Sequence, residues 1–299
     1  MLKVENVTKY YGKVRAVHNL SFEIKDGEIF GLLGVNGAGK TTTFRMIMGL
    51  LDKNDGVITL NNKEIDYSVT DKIGFLTEER SLLTKLTVYE QAIFYGHLKG
   101  MTDEQINKKL DKYLEKFNIV EYKTRKIKEL SKGNQQKVQF IMAILNDPKL
   151  LILDEPFSGL DPINIELFKK EILKFKEKGT IIIFSSHRMD HVEYFCDSLL
   201  ILVSGETVLE GKLTKIKKDF RKKNIKIVGD VSKEELLDTK GVVGVEKVGN
   251  EYIVKVEDDL YVETVFNYVK TCKKITKFAV EEPSLNEIFI EKVGVSYEK

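Results

Sequence analysis

Thiols are scarce in this 299-residue chain: the two cysteines, Cys196 and Cys272, stand far apart without metal-ligand spacing. That argues against a disulfide-stapled scaffold or a cysteine metal cluster and for reduced thiols in a cytosolic chain. An excess of charge is also missing, since 48 basic and 46 acidic residues leave a net +2, so bulk electrostatics offers no case for nucleic acid. Long apolar runs are absent as well. The longest, residues 140–145, falls far short of the roughly 20 residues that a membrane-spanning helix needs. The first residues, Met1-Leu-Lys-Val-Glu-Asn-Val7, alternate apolar and polar like a strand and lack the apolar centre of an export leader. Neither internal repeats nor low-complexity tracts occur, and no Asn-Lys-x-Asp guanine-reading motif is found.

What is present is an ordinary globular composition, 42% hydrophobic and 31% charged, at a length that suits two unequal domains. Residues 2–7 and 17–24 read as paired antiparallel strands with a turn at 10–12. Residues 28–33 form a buried strand entering a glycine loop, and 41–50 the helix leaving it. Helices are expected at 102–117, 135–145 and 162–177, and further buried strands at 150–153 and 180–184. The order implies an α/β fold with a mostly parallel central sheet. After Gly211 a lysine-rich linker, residues 212–224, leads to a small α+β domain over 225–299. Alternating segments there at 225–228, 242–248, 252–256 and 275–280 interleave with helices at 233–237 and 260–269, and a helix at 284–293 closes the chain. The pattern is β-α-β-β-α-β, ferredoxin-like. The lysines of this stretch either form a solvated face or touch anionic lipid.

The chemistry is concentrated in four places. In Gly34-Val-Asn36-Gly37-Ala-Gly39-Lys40-Thr41-Thr42 the glycines permit positive φ, so that consecutive amide N–H groups converge on phosphate oxygens at a helix N-terminus. Lys40 adds a cation for the β and γ phosphates, and Thr41 a hydroxyl for Mg²⁺. Asp154 ends an apolar strand where the ligand crevice of open α/β sheets lies. With Glu155 beside it, one carboxylate can hold Mg²⁺ while the other, pointing the opposite way from an extended backbone, orients an attacking water. His187 follows another strand; it either packs structurally or donates a hydrogen bond to the γ-phosphate. Ser131-Lys-Gly133-Asn134 opens a helix, which alone reads as an N-cap.

Together these residues resemble the ATP-binding cassette family, specifically the nucleotide-binding subunits of ABC transporters, over residues 1–211. The resemblance implies a P-loop fold with an antiparallel β subdomain and a helical subdomain beside the parallel sheet. It makes residues 34–42 the Walker A loop, residues 150–155 the Walker B strand with Glu155 as catalytic base, and residues 130–134 the signature. It also makes residues 158–161 a loop communicating across a dimer, His187 a switch histidine, and Tyr11, or its neighbour Tyr10, the aromatic that stacks on adenine. ATP and Mg²⁺ follow, bound by Tyr11, Asn36, Gly37, Gly39, Lys40, Thr41 and Thr42 of one subunit and by Ser131 and Gly133 of the other, with Thr41, Asp154 and Glu78 toward the metal.

So do a second ATP-binding subunit, integral-membrane permease partners contacted through residues 80–99, and a place on the inner face of the cell membrane. Glu78 stands where the family usually has Gln, Lys132 where it has Gly and Asn134 where it has Gln; altered rates rather than lost activity are expected. Residues 75–80 and 130–137 and the tail at 282–289 resemble the branch containing sodium-efflux, bacitracin-type and multidrug exporters. The alternative is a soluble ABC ATPase acting on ribosomes or DNA, although the second cassette or long coiled coil of such proteins is missing. The C-terminal domain, by its position, would steady a dimer or regulate the ATPase.

Overall fold

The computed structural model describes residues 1–79 and 81–297, and within it the chain divides into two compact units, Met1–Glu210 and Gly211–Lys299. The first unit begins with β1 (Leu2–Tyr11) and β2 (Val14–Ile24), followed by β3 (Ile29–Gly34), α1 (Lys40–Ile47), β4 (Asp55–Leu60), β5 (Lys63–Glu64) and β6 (Ile73–Leu76). Helices α2 (Val88–Leu98), α3 (Asp103–Lys116) and α4 (Lys132–Ile144) come next. After them lie β7 (Leu150–Asp154), α5 (Pro162–Glu177), β8 (Ile181–Ser185), α6 (Met189–Phe195), β9 (Ser198–Val203) and β10 (Glu206–Lys212).

A six-stranded sheet has the order β10-β9-β3-β8-β7-β6, and the pairs β9/β3, β3/β8, β8/β7 and β7/β6 are all parallel. Strands β3, β7, β8 and β9 are buried along their whole length, which is why they read as continuous apolar runs rather than alternating ones. A second sheet, β2-β1-β4-β5, is antiparallel. Its inward residues Val4, Leu20, Phe22 and Ile58 share a core with Phe30, Ile152 and Ile183 of the parallel sheet. The helical part is tied down by aromatics: the Phe140 ring stacks on Phe168 at 4.4 Å, and Phe117 meets both edge-on.

Two boundaries differ from the sequence expectation. Tyr10 and Tyr11 belong to β1, and the turn falls on Gly12–Lys13, because the left-handed Gly12 (φ 59°) provides the tight reversal. Helix α1 ends at Ile47, and Gly49 in left-handed geometry (φ 67°) stops it before residue 50.

The second unit contains α7 (Leu213–Asp219), β11 (Lys223–Gly229), α8 (Lys233–Leu237), β12 (Val242–Val248), β13 (Glu251–Val256), α9 (Val262–Val269), β14 (Ile275–Glu281) and α10 (Leu285–Tyr297). The stretch expected as a linker is therefore occupied by α7, whose Leu213 and Ile216 are buried, and by the start of β11. Lys222, Lys223 and Lys226 are paired with Glu291, Glu282 and Glu281, so the end of the lysine run is neutralised inside its own unit. The sheet order is β12-β13-β11-β14, antiparallel throughout, with Ile225, Ile227, Val254, Val256 and Val265 as a separate small core.

Candidate active site

The glycine loop joins the end of β3 to the start of α1. Gly34 (φ 154°) has no room for a side chain: a Cβ would stand 2.5 Å from the Leu202 carbonyl oxygen. At Gly39 (φ 105°) it would stand 2.6 Å from that of Ala16. Gly37 (φ 80°) differs, since a Cβ there would meet nothing within 4 Å. Two glycines thus let the loop press against its own scaffold, and the third faces open space where an anion can approach the backbone. The Lys40 ammonium folds back onto the carbonyl oxygens of Gly34 and Val35, at 2.6 and 3.3 Å. Burial lowers its pKa, while Asp154, Glu78 and Glu155 pull it up, so all three carboxylates share a field with the loop cation. Asn36 and Thr41 are exposed and Thr42 is half-buried.

Asp154 ends β7, is buried, and has a carboxyl pKa raised to about 6. Burial is the main cause; the Ser185 hydroxyl and Lys40 oppose it, while Glu78 and Glu155 reinforce it. Glu155 does not continue the extended strand as the sequence reading expected. Its φ is 48°, a left-handed conformation that costs a non-glycine residue on the order of 1–2 kcal/mol. The turn re-aims the side chain, and the strand ladder supports it through Glu155 N–H to the Ser185 carbonyl at 3.0 Å. The Glu155 carboxylate accepts a 3.1 Å hydrogen bond from the Ser186 hydroxyl and another from the backbone N–H of His187. His187 presents Nε2 3.9 Å from Glu155 Oε1 on a half-exposed ring. The turn therefore gives the two carboxylates different partners: Asp154 bonds the Ser185 side chain, whereas Glu155 turns to Ser186 and His187.

Ser131 caps α4, its hydroxyl accepting from Asn134 N–H at 3.3 Å. Gly133 lies against the 158–161 loop, where a Cβ would meet the Gly159 carbonyl oxygen at 3.2 Å. Among the described residues, no hydrogen bond or ion pair of Ser131 or Gly133 reaches residues 34–42. Tyr11 and Tyr10 are both about half-exposed, with Lys9 5.7 Å from the Tyr11 ring. Arg80 lies outside the described residues.

Two contributors were not singled out from the sequence. Ser186 holds Glu155, as above. Gln139 of α4 donates to both the carbonyl and the hydroxyl of Thr77, at 3.0 and 2.9 Å, tying the signature helix to the residue before Glu78. A glutamine inside the otherwise apolar run 138–145 was the signal that could have found it.

Known proteins share both halves. The ABC transporter family matches residues 17–158, and the C-terminal domain of DrrA1-3-like ATP-binding proteins matches residues 211–293. The uncharacterized ABC transporter ATP-binding protein YhaQ of Bacillus subtilis (strain 168) is 46% identical over 298 residues, covering 100% of both chains. The chain belongs to the ABC transporter ATP-binding proteins. It is an ATPase subunit of transport, and its fold is the ABC cassette with an added α+β unit. The linearmycin resistance ATP-binding protein LnrL of the same organism is 37% identical over 217 residues, 72% of this chain and 70% of LnrL. Among solved structures, the dimeric ABC transporter cassette MJ0796 matches with a TM-score of 0.66 at 28% identity, over 71% of this chain and 99% of that one. ABC cassettes of this kind dimerise and work with membrane permeases, and no helix of the described residues is long and apolar enough to cross a membrane.

Proposed function

We propose that two cassettes bind head to tail, each Ser131–Gly133 signature closing over ATP held by the Walker A loop of the other, and that closure drives separate permease subunits in the direction of export. The observation that carries this reading is the division of the site. Lys40, Asp154, Glu155 and Glu78 act on one another electrostatically, whereas Ser131 and Gly133 make their contacts with Asn134 and Gly159.

In this reading the amides of residues 36–42 and Lys40 hold the β and γ phosphates, Tyr11 covers the adenine, Glu155 takes a proton from the attacking water and His187 donates to the γ-phosphate. The Thr41 hydroxyl, Asp154 and Glu78 suit Mg²⁺. They offer the hard oxygen donors that Mg²⁺ takes together with substrate phosphates. When bound, Mg²⁺ neutralises charge on the transferred phosphoryl group.

In this reading the permease contact is made by residues 80–99, of which 81–99 are described. A cavity of about 560 Å³ there is lined by Leu50, Phe75, Leu82, Leu98, Lys99 and Met142, and Leu50, Phe94 and Leu98 are exposed beside it, which supports an apolar partner surface. A cytoplasmic chain held to the membrane by its permease follows. The test is Glu155→Gln: nucleotide binding persists, turnover falls by orders of magnitude, and sizing chromatography with MgATP shows a trapped dimer. A fully active variant overturns the assignment of the base.

A further inference from the structure

In the proposed site the two ends of the nucleotide are held by different sheets. The phosphate loop follows β3 of the parallel sheet, whereas Tyr11 ends β1 of the antiparallel one. Among the described residues, no hydrogen bond joins residues 10–18 directly to residues 34–42. The turn between β9 and β10 bridges them instead. Gly205 in that turn donates its N–H to the Ala38 carbonyl of the phosphate loop at 3.0 Å, and its own carbonyl accepts from the His18 N–H of β2 at 2.8 Å. The next residue, Glu206, forms an ion pair with Arg15, which stands opposite Tyr10 in the hairpin that carries Tyr11.

A side chain has no place at this junction. Gly205 is left-handed (φ 81°), and a Cβ on it would stand 2.7 Å from the Ala16 carbonyl oxygen and 2.9 Å from its carbon. The same oxygen lies 2.6 Å from the place of a Cβ at Gly39, so one β2 carbonyl is wedged between the phosphate loop and the turn, with a glycine on each side. Which part yields to added bulk follows from the anchoring. The turn continues β9, whose Leu202 is paired with Gly34 in the parallel sheet, whereas Tyr11 and Val14 at the hairpin tip are exposed. Bulk at residue 205 therefore displaces the hairpin and not the loop. We propose that Gly205 is a positioning residue for the nucleotide base: its turn clamps the Tyr11 hairpin at a fixed offset from the phosphate loop, so that one ligand meets both. This role rests on Tyr11 covering the base, as in the proposed function. Gly205 lies outside the loops that hold nucleotide and acts through Tyr11. Base and phosphates are covalently joined, so a hairpin moved by a fraction of an ångström loses its contact with the ring while the loop keeps the phosphates.

The experiment is a double-mutant cycle on the full chain, titrated calorimetrically with MgADP, which carries the base and is not turned over. Tyr11→Ala is expected to weaken binding by about tenfold, as for one stacked base, and Gly205→Ala by about the same factor. Together they should weaken it little more than either alone, because the second change finds no stacking left to lose. Losses that multiply overturn the proposal, since Gly205 would then act on the phosphate loop, and so does a Gly205→Ala chain that binds like the parent. A Tyr11→Ala chain that binds ADP normally sinks the base assignment itself, which keeps the two failures apart. Gly179→Ala is the control for backbone strain: Gly179 is also left-handed (φ 85°), with nothing within 4 Å of a Cβ, so the change should lower the melting temperature and leave ADP affinity in place. An equal loss of affinity there assigns the effect to strain and overturns the proposal. Arg15→Glu tests the clamp without a backbone clash and keeps the test open if Gly205→Ala does not fold. It should weaken ADP binding by about threefold, and adding Glu206→Arg should restore it; no loss, or a loss that is not restored, counts against the clamp.

Discussion

At the scale of single residues, the site holds unfavourable conformations and charges where its chemistry needs them. Asp154 is the clearest case. A carboxyl whose folded pKa is raised, here to about 6, binds its proton more tightly in the folded chain than in the unfolded one. Stability is therefore greatest below the unfolded value near 3.8 and falls as pH rises toward 6. At neutral pH the loss is on the order of 3 kcal/mol, at 1.36 kcal/mol per pKa unit. Asp154→Asn is expected to raise the melting temperature of the nucleotide-free protein at pH 7.5, to change it little near pH 4, and to abolish Mg²⁺-dependent ATPase activity; differential scanning calorimetry at the two pH values checks the sign. Lys40 is held by the Gly34 and Val35 carbonyls, and in the proposed reading it exchanges them for phosphate. Lys40→Ala should thus cost little stability while weakening ATP binding by about 10- to 1000-fold, read by equilibrium titration, if its charge-assisted bonds are worth about 1.5–4 kcal/mol there.

At the scale of elements, the signature helix α4 acts as a strut. Gln136 reaches the Pro156 carbonyl at 3.0 Å, Gln139 reaches Thr77, and Gly133 lies on Gly159. One helix thereby touches the Walker B loop, the segment leading to Glu78 and the loop at 158–161. Gln139→Leu removes two hydrogen bonds and leaves the half-buried Thr77 carbonyl without this partner, which should cost about 1–2 kcal/mol in denaturant unfolding. Its informative effect is kinetic: kcat should fall with nucleotide affinity nearly unchanged, because Gln139 touches the path to Glu78 rather than nucleotide. The same helix buries Phe140 completely against Phe168, and Phe140→Ala should cost about 3–5 kcal/mol.

At the scale of the whole molecule, the two units have separate hydrophobic cores, one shared by the two sheets of the cassette and one under the four-stranded sheet. Calorimetry should resolve two unfolding transitions. In Glu155→Gln protein, MgATP at a hundred times its Kd should stabilise the cassette by about 2.7 kcal/mol and leave the other transition in place. Ile225→Ala, fully buried in the small core, should lower only the second.

Much of this was legible in the sequence, because the information was local. The glycine loop, the apolar run ending in Asp154-Glu155 and the proline-led helix α5 are each specified by a few neighbouring residues, and so is the β-α-β-β-α-β order. Tertiary structure decided what depends on distant partners. The left-handed turn at Glu155 is sustained by Ser185 at the end of β8 and by Ser186 and His187 just after it. The raised pKa of Asp154 comes from burial that no strand pattern reports. The ordered α7 replaced an expected linker because Leu213 and Ile216 find a buried surface. Short-range propensity names the chemical groups; only long-range packing fixes where they point and what charge they carry.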